Sequence, residues 1–129
     1  MVHAPPVAEF YGLLARGGGS NVAVTADDES DSRLRPRFLP ENPAASRARL
    51  LRAIASLPRW RVIDSTGEVL WATRRTRLFR FLDDVLVLAE RRGAGTVIAA
   101  RSASRVGRSD LGQNRRNLAE LWRALDQVP

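Results

Sequence analysis

The chain has no cysteine, no lysine and a single histidine. Each absence removes a class of chemistry. Without cysteine there is no disulfide framework, no thiolate nucleophile and no thiolate metal site. The one histidine, His3, stands near the start of the sequence, so neither a zinc site nor a Ser–His–Asp triad has material to be built from. No apolar run approaches the ~20 residues of a membrane-spanning helix. Residues 1–20, MVHAPPVAEFYGLLARGGGS, lack the basic n-region and the apolar h-region of a secretory signal. These absences set the expectation of a cytoplasmic protein with no transmembrane segment, no metal and no cofactor, with peripheral membrane association left open.

The basic residues are all arginine, and their distribution is lopsided. Residues 1–32 set Arg16 against Glu9, Asp27, Asp28, Glu29 and Asp31, a net of −4. Residues 33–129 set twenty arginines against nine acids, a net of +11. Such a field attracts polyanions without specifying one. A solvated arginine-rich surface, or codon bias towards arginine, explains the same numbers.

At 129 residues the chain is expected to bury roughly two-thirds of its unfolded surface in one core. The glycines of ARGGGSN read as a linker, because ordering them costs much backbone entropy. The division is therefore residues 1–20 as N-terminal segment and linker, and 21–129 as a single α+β domain. Val7 to Leu14 suits a short helix, NVAVT is a short apolar piece, and LRPRFL suits an edge strand, since Pro36 cannot donate to a central ladder. Asn42 and Pro43 signal a helix start, and Leu50, Leu51, Ile54 and Leu57 supply its stripe. Four strands follow: RWRVID, VLWATRRTRLF, DDVLVLAE and GTVIAARSAS, the last two joined through RRGAG. A long helix closes the chain, with Leu111, Leu118, Leu121, Leu125 and Val128 on its apolar side and Asp110 with Gln113 as a capping pair. Gly112, in its first turn, suggests a close backbone approach. The order β-α-β-β-β-β-α gives a curved antiparallel sheet with its helices on one face, and resembles half of the TATA-binding-protein fold.

One stretch, RSASRVGRSDLGQNRR at 101–116, is too polar for a core strand. Pairing across RRGAG places Asp84 near Ser102 and Asp83 near Ala103, within reach of Arg101, Ser104 and Arg105. A turn at Gly107 then delivers Ser109, Asp110, Asn114 and Arg115 to the same end. Carboxylates meeting arginines there form charge-assisted pairs, and the serines and Asn114 can satisfy backbone groups at the corner. The plain reading is a network that pins the corner and caps the helix. The functional one is a pocket for a small anionic ligand, with the helix N-terminus, Arg101 and Arg105 as donors. Catalysis by Asp83 and Asp84 as acid and base is weaker, because adjacent strand residues point to opposite faces. A metal on Asp83, Asp84 and Asp110 is disfavoured by the surrounding arginines.

The segments RLFRFLDDV, RSASRVGRSDLGQNRR and SNVAVT resemble the family catalogued as domain of unknown function 1499, from about Asn21 to Leu125. Its motif falls on Phe81, Asp83, Asp84, Val85, Arg101, Ser102, Ser104, Arg105, Gly107, Ser109, Asp110, Leu111, Gly112, Asn114 and Arg115. The resemblance implies a small bacterial or plastid domain, often membrane-associated or lipid-anchored, with no established activity. Many members carry a cysteine where this chain has Val22, so a role for that cysteine, lipid anchoring included, is absent here.

Three functions compete. The first is a non-enzymatic binding or scaffold domain. Its helix-covered sheet face would hold Leu86, Leu88, Ile98 and Ala100; its open face, with Val85, Val87, Ala89, Val97 and Ala99, would pair two copies as a homodimer or take an apolar ligand. The N-terminal segment around Phe10 to Leu14 is the alternative cover for that face. The second is weak, unselective nucleic-acid binding. Specific recognition is not expected, because no aromatic pair is placed for base stacking and Trp60 and Trp71 read as core. The third is a hydrolase or lyase using the Asp/Arg cluster.

Overall fold

The two longest strands, β5 (Leu82–Arg92) and β6 (Gly95–Ser104), form a hairpin through Gly93 and Ala94 at the centre of the molecule. The computed structural model describes residues 2–77 and 81–129. Leu78, Phe79 and Arg80, which belong to the expected second strand and to one family segment, lie outside the described residues. On one side of the hairpin lie β4 (Val69–Arg75) and then β3 (Trp60–Asp64). The far edge of β6 pairs with two short strands, β1 (Val22–Val24) and β2 (Arg37–Leu39). All pairings are antiparallel. The α+β class and the open antiparallel sheet are as expected; the NVAVT piece adds a strand to it.

Helix α2 (Pro43–Ala55) starts where its cap dictates: the Asn42 side chain accepts the Ala45 N–H at 2.8 Å and Pro43 needs no partner. It packs with α3 (Gln113–Gln127) on one sheet face. Leu50, Ile54, Leu118, Leu121 and Leu125 meet Leu70, Ala72, Val85, Val87, Ile98 and Ala100 there. Each large side chain so buried contributes about 1.5–3 kcal/mol.

Four expectations need correction. The β5–β6 register is one residue from that expected: Asp84 pairs with Ala103, Asp83 with Ser104, and Val85 with Ser102. The two-residue turn fixes this by setting Arg92 opposite Gly95, from which every later pair follows. Paired residues share a face, so Val85 and Val87 lie under the helices, and Leu86 and Leu88 lie on the other side. Leu111 does not join the apolar side of α3. It is 85% exposed, with φ at 52°. Gly112, the N-cap, has φ at 82°. A left-handed backbone, rather than a close approach, is what calls for glycine at 112.

The second face is covered by a helix, α1 (Val7–Ala15). Phe10 is fully buried against Val69, Trp71, Leu86 and Leu88, with Val7, Leu13 and Leu14 packed around it. Ahead of α1, the Ala4 N–H is held by Asp64 Oδ2 at 2.8 Å. Behind it the glycines form a tight reversal into β1, with Gly19 N–H on the Val22 carbonyl at 2.9 Å. The face expected to stay open for a second copy therefore carries a segment of the same chain.

Candidate functional site

Alternation along β5 splits the corner into an inner and an outer half. Asp83 points under α3 and is 1% exposed. Asn117 Nδ2 donates to its Oδ2 at 2.8 Å, and Ser104 also hydrogen-bonds the carboxyl. Burial pushes the Asp83 carboxyl above the usual aspartate range, against the pull of those bonds and of the Arg74 charge.

Around Asp83 the polar side chains satisfy one another. Ser102 Oγ donates to Asn114 Oδ1 at 2.6 Å and accepts from Asn117 Nδ2 at 3.1 Å. Asn114 Nδ2 lies 2.6 Å from Asp110 Oδ2 and 2.9 Å from both Ser104 Oγ and the Asn21 carbonyl. Gln113 Nε2 donates to Asn117 Oδ1 at 2.8 Å. Asp110 accepts the backbone N–H groups of Gly112 and Asn114 at 2.8 and 3.1 Å. It occupies the N-terminus of α3 with the protein's own anion, the place where an external anion would otherwise bind.

The outer half is separate. Arg105 forks onto Asp84, Nε to Oδ2 and Nη2 to Oδ1, both at 2.9 Å. Trp71 Nε1 donates to Asp84 Oδ1 at 2.8 Å. The Asp84 carboxylate raises the Arg105 pKa. Arg101 is half-buried on this side, and its Nε has no hydrogen-bond partner among the described residues. Burial, reinforced by the nearby Arg16 charge, lowers its pKa. Ser109 and Arg115 are exposed at the margin, Arg115 lining a cleft with Gly19 and Val22.

Thus Asp83, Ser102, Ser104, Asp110 and Asn114 form one buried cluster, Asp84 and Arg105 form another group, and Arg101, Ser109 and Arg115 stand apart from both. Asn117, Asn21 and Arg74 belong to the site without having been singled out from sequence, while Gln113 was expected only as a capping partner and Trp71 only as core. Asn117 had a signal: it sits three residues after Asn114, beside Leu118 and Leu121 on the buried side of α3. Arg74 had none, because its place opposite Asp83 comes from the β4–β5 register.

Chemically the corner is a frame. Its carboxylates already hold protein donors, and Asp83 and Asp84 lie on opposite faces of the sheet. Among the described residues no group of three or more metal-ligating side chains comes together, and no helix is long and apolar enough to cross a membrane.

Residues 18–125 match the model of a family described as "Protein of unknown function (DUF1499)", and the chain belongs to that family. No curated protein matches the chain.

Proposed function

We propose that this member of the DUF1499 family is a non-enzymatic binding domain, in which the aspartate–arginine–serine–asparagine corner holds the fold and the ligand binds elsewhere. One observation carries the reading: Asp83, Asp84 and Asp110 are each engaged by protein hydrogen-bond donors. A general acid or base needs a proton path to a substrate. Asp83, nearly inaccessible, has none, and Asp110 is spent on the backbone of α3.

The alternative, a hydrolase or lyase on this cluster, is separated by experiment. The protein is incubated with phosphoester, carboxylic ester, peptide and glycoside substrates beside Asp83→Asn, Asp84→Asn and Asp110→Asn. The binding reading expects no turnover above background and lowered melting midpoints in the variants. Turnover in the parent protein, abolished by Asp84→Asn with the melting midpoint unchanged, would overturn it.

A further inference from the structure

A groove of about 440 Å³ runs between α3, from Gln113 to Arg123, and the start of β3 with the end of β4. Among the described residues six arginines line it: Arg33, Arg59, Arg74, Arg77, Arg116 and Arg123. Among the described residues Glu120 is its one carboxylate, and it is already used, accepting from Trp60 Nε1 and, at 3.4 Å, from Arg74 Nη2. The motif segments contribute Arg77, Gln113 and Arg116 to this groove, and its other lining residues come from outside them.

Two of these arginines are not ordinary surface arginines. Arg74 is 6% exposed, and arginine is almost never so buried unless fully paired. Its Nε and that of Arg59 are buried and have no hydrogen-bond partner among the described residues. Asp83, across from Arg74 in the register, feels its charge but accepts hydrogen bonds from Asn117 and Ser104. Asp31 holds Arg33 in a bidentate pair, with Oδ2 2.7 Å from Nη2. Among the described residues Arg116 bonds neutral groups, the Leu111 carbonyl and Gln113 Oε1. The walls therefore carry guanidinium charge that the protein leaves largely uncompensated, in a concavity within the usual size range of small-ligand sites.

We propose that this groove binds a compact polyanion bearing two or more adjacent phosphate groups. This rests on the binding-domain reading and assigns its site. A single carboxylate needs one guanidinium fork; several forks on opposing walls suit a ligand presenting several tetrahedral anions. Such a ligand relieves the repulsion among the lining arginines and so stabilises the fold on binding. A free polyphosphorylated molecule and a phosphorylated lipid headgroup share this chemistry.

The test uses the full chain at 150 mM salt, with sodium tripolyphosphate in calorimetry and thermal shift. Vesicles of phosphatidylcholine, with and without a bisphosphorylated inositol lipid, are the second arm. Arg77→Ser with Arg123→Ser removes two exposed groove arginines; Arg91→Ser with Arg92→Ser removes the same charge at the β5–β6 turn, far from it. The expected result is saturable binding with a raised melting midpoint. The groove pair should weaken affinity at least about tenfold, some 1.4 kcal/mol, while the turn pair changes it by less than about threefold. Binding to tripolyphosphate alone assigns a soluble ligand; binding to the phosphorylated vesicles, displaced by tripolyphosphate, assigns a headgroup. Equal loss in both pairs, no saturation, or tighter binding to duplex DNA spread over both pairs overturns the site. Those failures leave the non-enzymatic reading standing, since that falls only to turnover dependent on the corner carboxylates.

Discussion

The Trp71 indole hydrogen-bonds Asp84 Oδ1 at 2.8 Å, on the oxygen that also receives Arg105 Nη2. Trp71 is 3% exposed, whereas the Arg105 side chain is 43% exposed. The two bonds therefore differ in worth. A solvent-screened pair contributes about 0–1 kcal/mol, but stranding a buried indole N–H costs about 1–3 kcal/mol. Asp84→Ala should thus destabilise by roughly 1–3 kcal/mol, Asp84→Asn by less because its amide oxygen still accepts, and Arg105→Ala by under about 1 kcal/mol. Urea denaturation of the three variants checks the order. An Arg105→Ala loss as large as that of Asp84→Ala would show that the ion pair, not the indole, dominates.

The Asp83 carboxyl gives a pH dependence with a definite sign. Burial raises its folded pKa above the ordinary aspartate value of 3.8. Between those two values the folded state holds more protons than the unfolded one, so stability falls as pH rises. Asp31 and Asp64 act oppositely: hydrogen bonds hold each at about 2, so their contribution is lost as pH falls below 3.8. Both are unchanged in Asp83→Asn and cancel in the comparison. Relative to the parent protein, Asp83→Asn should gain stability as pH rises from 4 towards neutrality, read from denaturation midpoints at several pH values. A deficit of Asp83→Asn relative to the parent that grows with rising pH would contradict the raised pKa.

Much of this architecture is readable from local signals. The Asn42–Pro43 start of α2, the leucine stripe of α3 and the β5–β6 hairpin each depend on residues close in sequence. The corner was readable because Arg101 to Arg115 are contiguous. The phase of β5 was not: VLVLA is apolar on both faces, so alternation gives no contrast to say which face meets the helices. That both faces are apolar in fact foretells covers on both, and α1 is the second cover. The arginine groove was hidden for another reason, since its walls come from four separate segments that only the tertiary fold brings together.

Gly95 lies where the end of β2 meets the start of β6, its antiparallel neighbour. A Cβ there would lie 2.5 Å from the Leu39 carbonyl oxygen and from the Phe38 ring. The ring can swing aside; the backbone oxygen cannot. Gly95→Ala should cost about 1–3 kcal/mol through overpacking. Gly12, within α1, has nothing within 4 Å of its ideal Cβ, so Gly12→Ala should stabilise by about 0.5–1 kcal/mol. Thermal unfolding of the two alanine variants reads opposite signs. A neutral Gly95→Ala would mean that β2 is not seated on β6 as described.

Removal of α1 should convert a buried face into an associating one. Phe10 fills the centre of the second cluster, and without it Val69, Trp71, Leu86 and Leu88 lose their cover. Together these side chains make a contiguous apolar patch of the kind that monomers seldom leave exposed. Self-association through this face is therefore expected of a chain beginning at Ser20, and not of the intact one. Phe10→Ala provides a milder version, with about 3–5 kcal/mol lost for emptying a buried phenylalanine site. Sedimentation velocity at micromolar concentration separates the cases. The full chain should run as a monomer and the truncated chain as a dimer that dissociates on dilution. A full-length dimer unaffected by Phe10→Ala would place the interface on another surface. A truncated chain that stays monomeric and folded would show that α1 is dispensable as a cover, and with it the argument that the second face needs one.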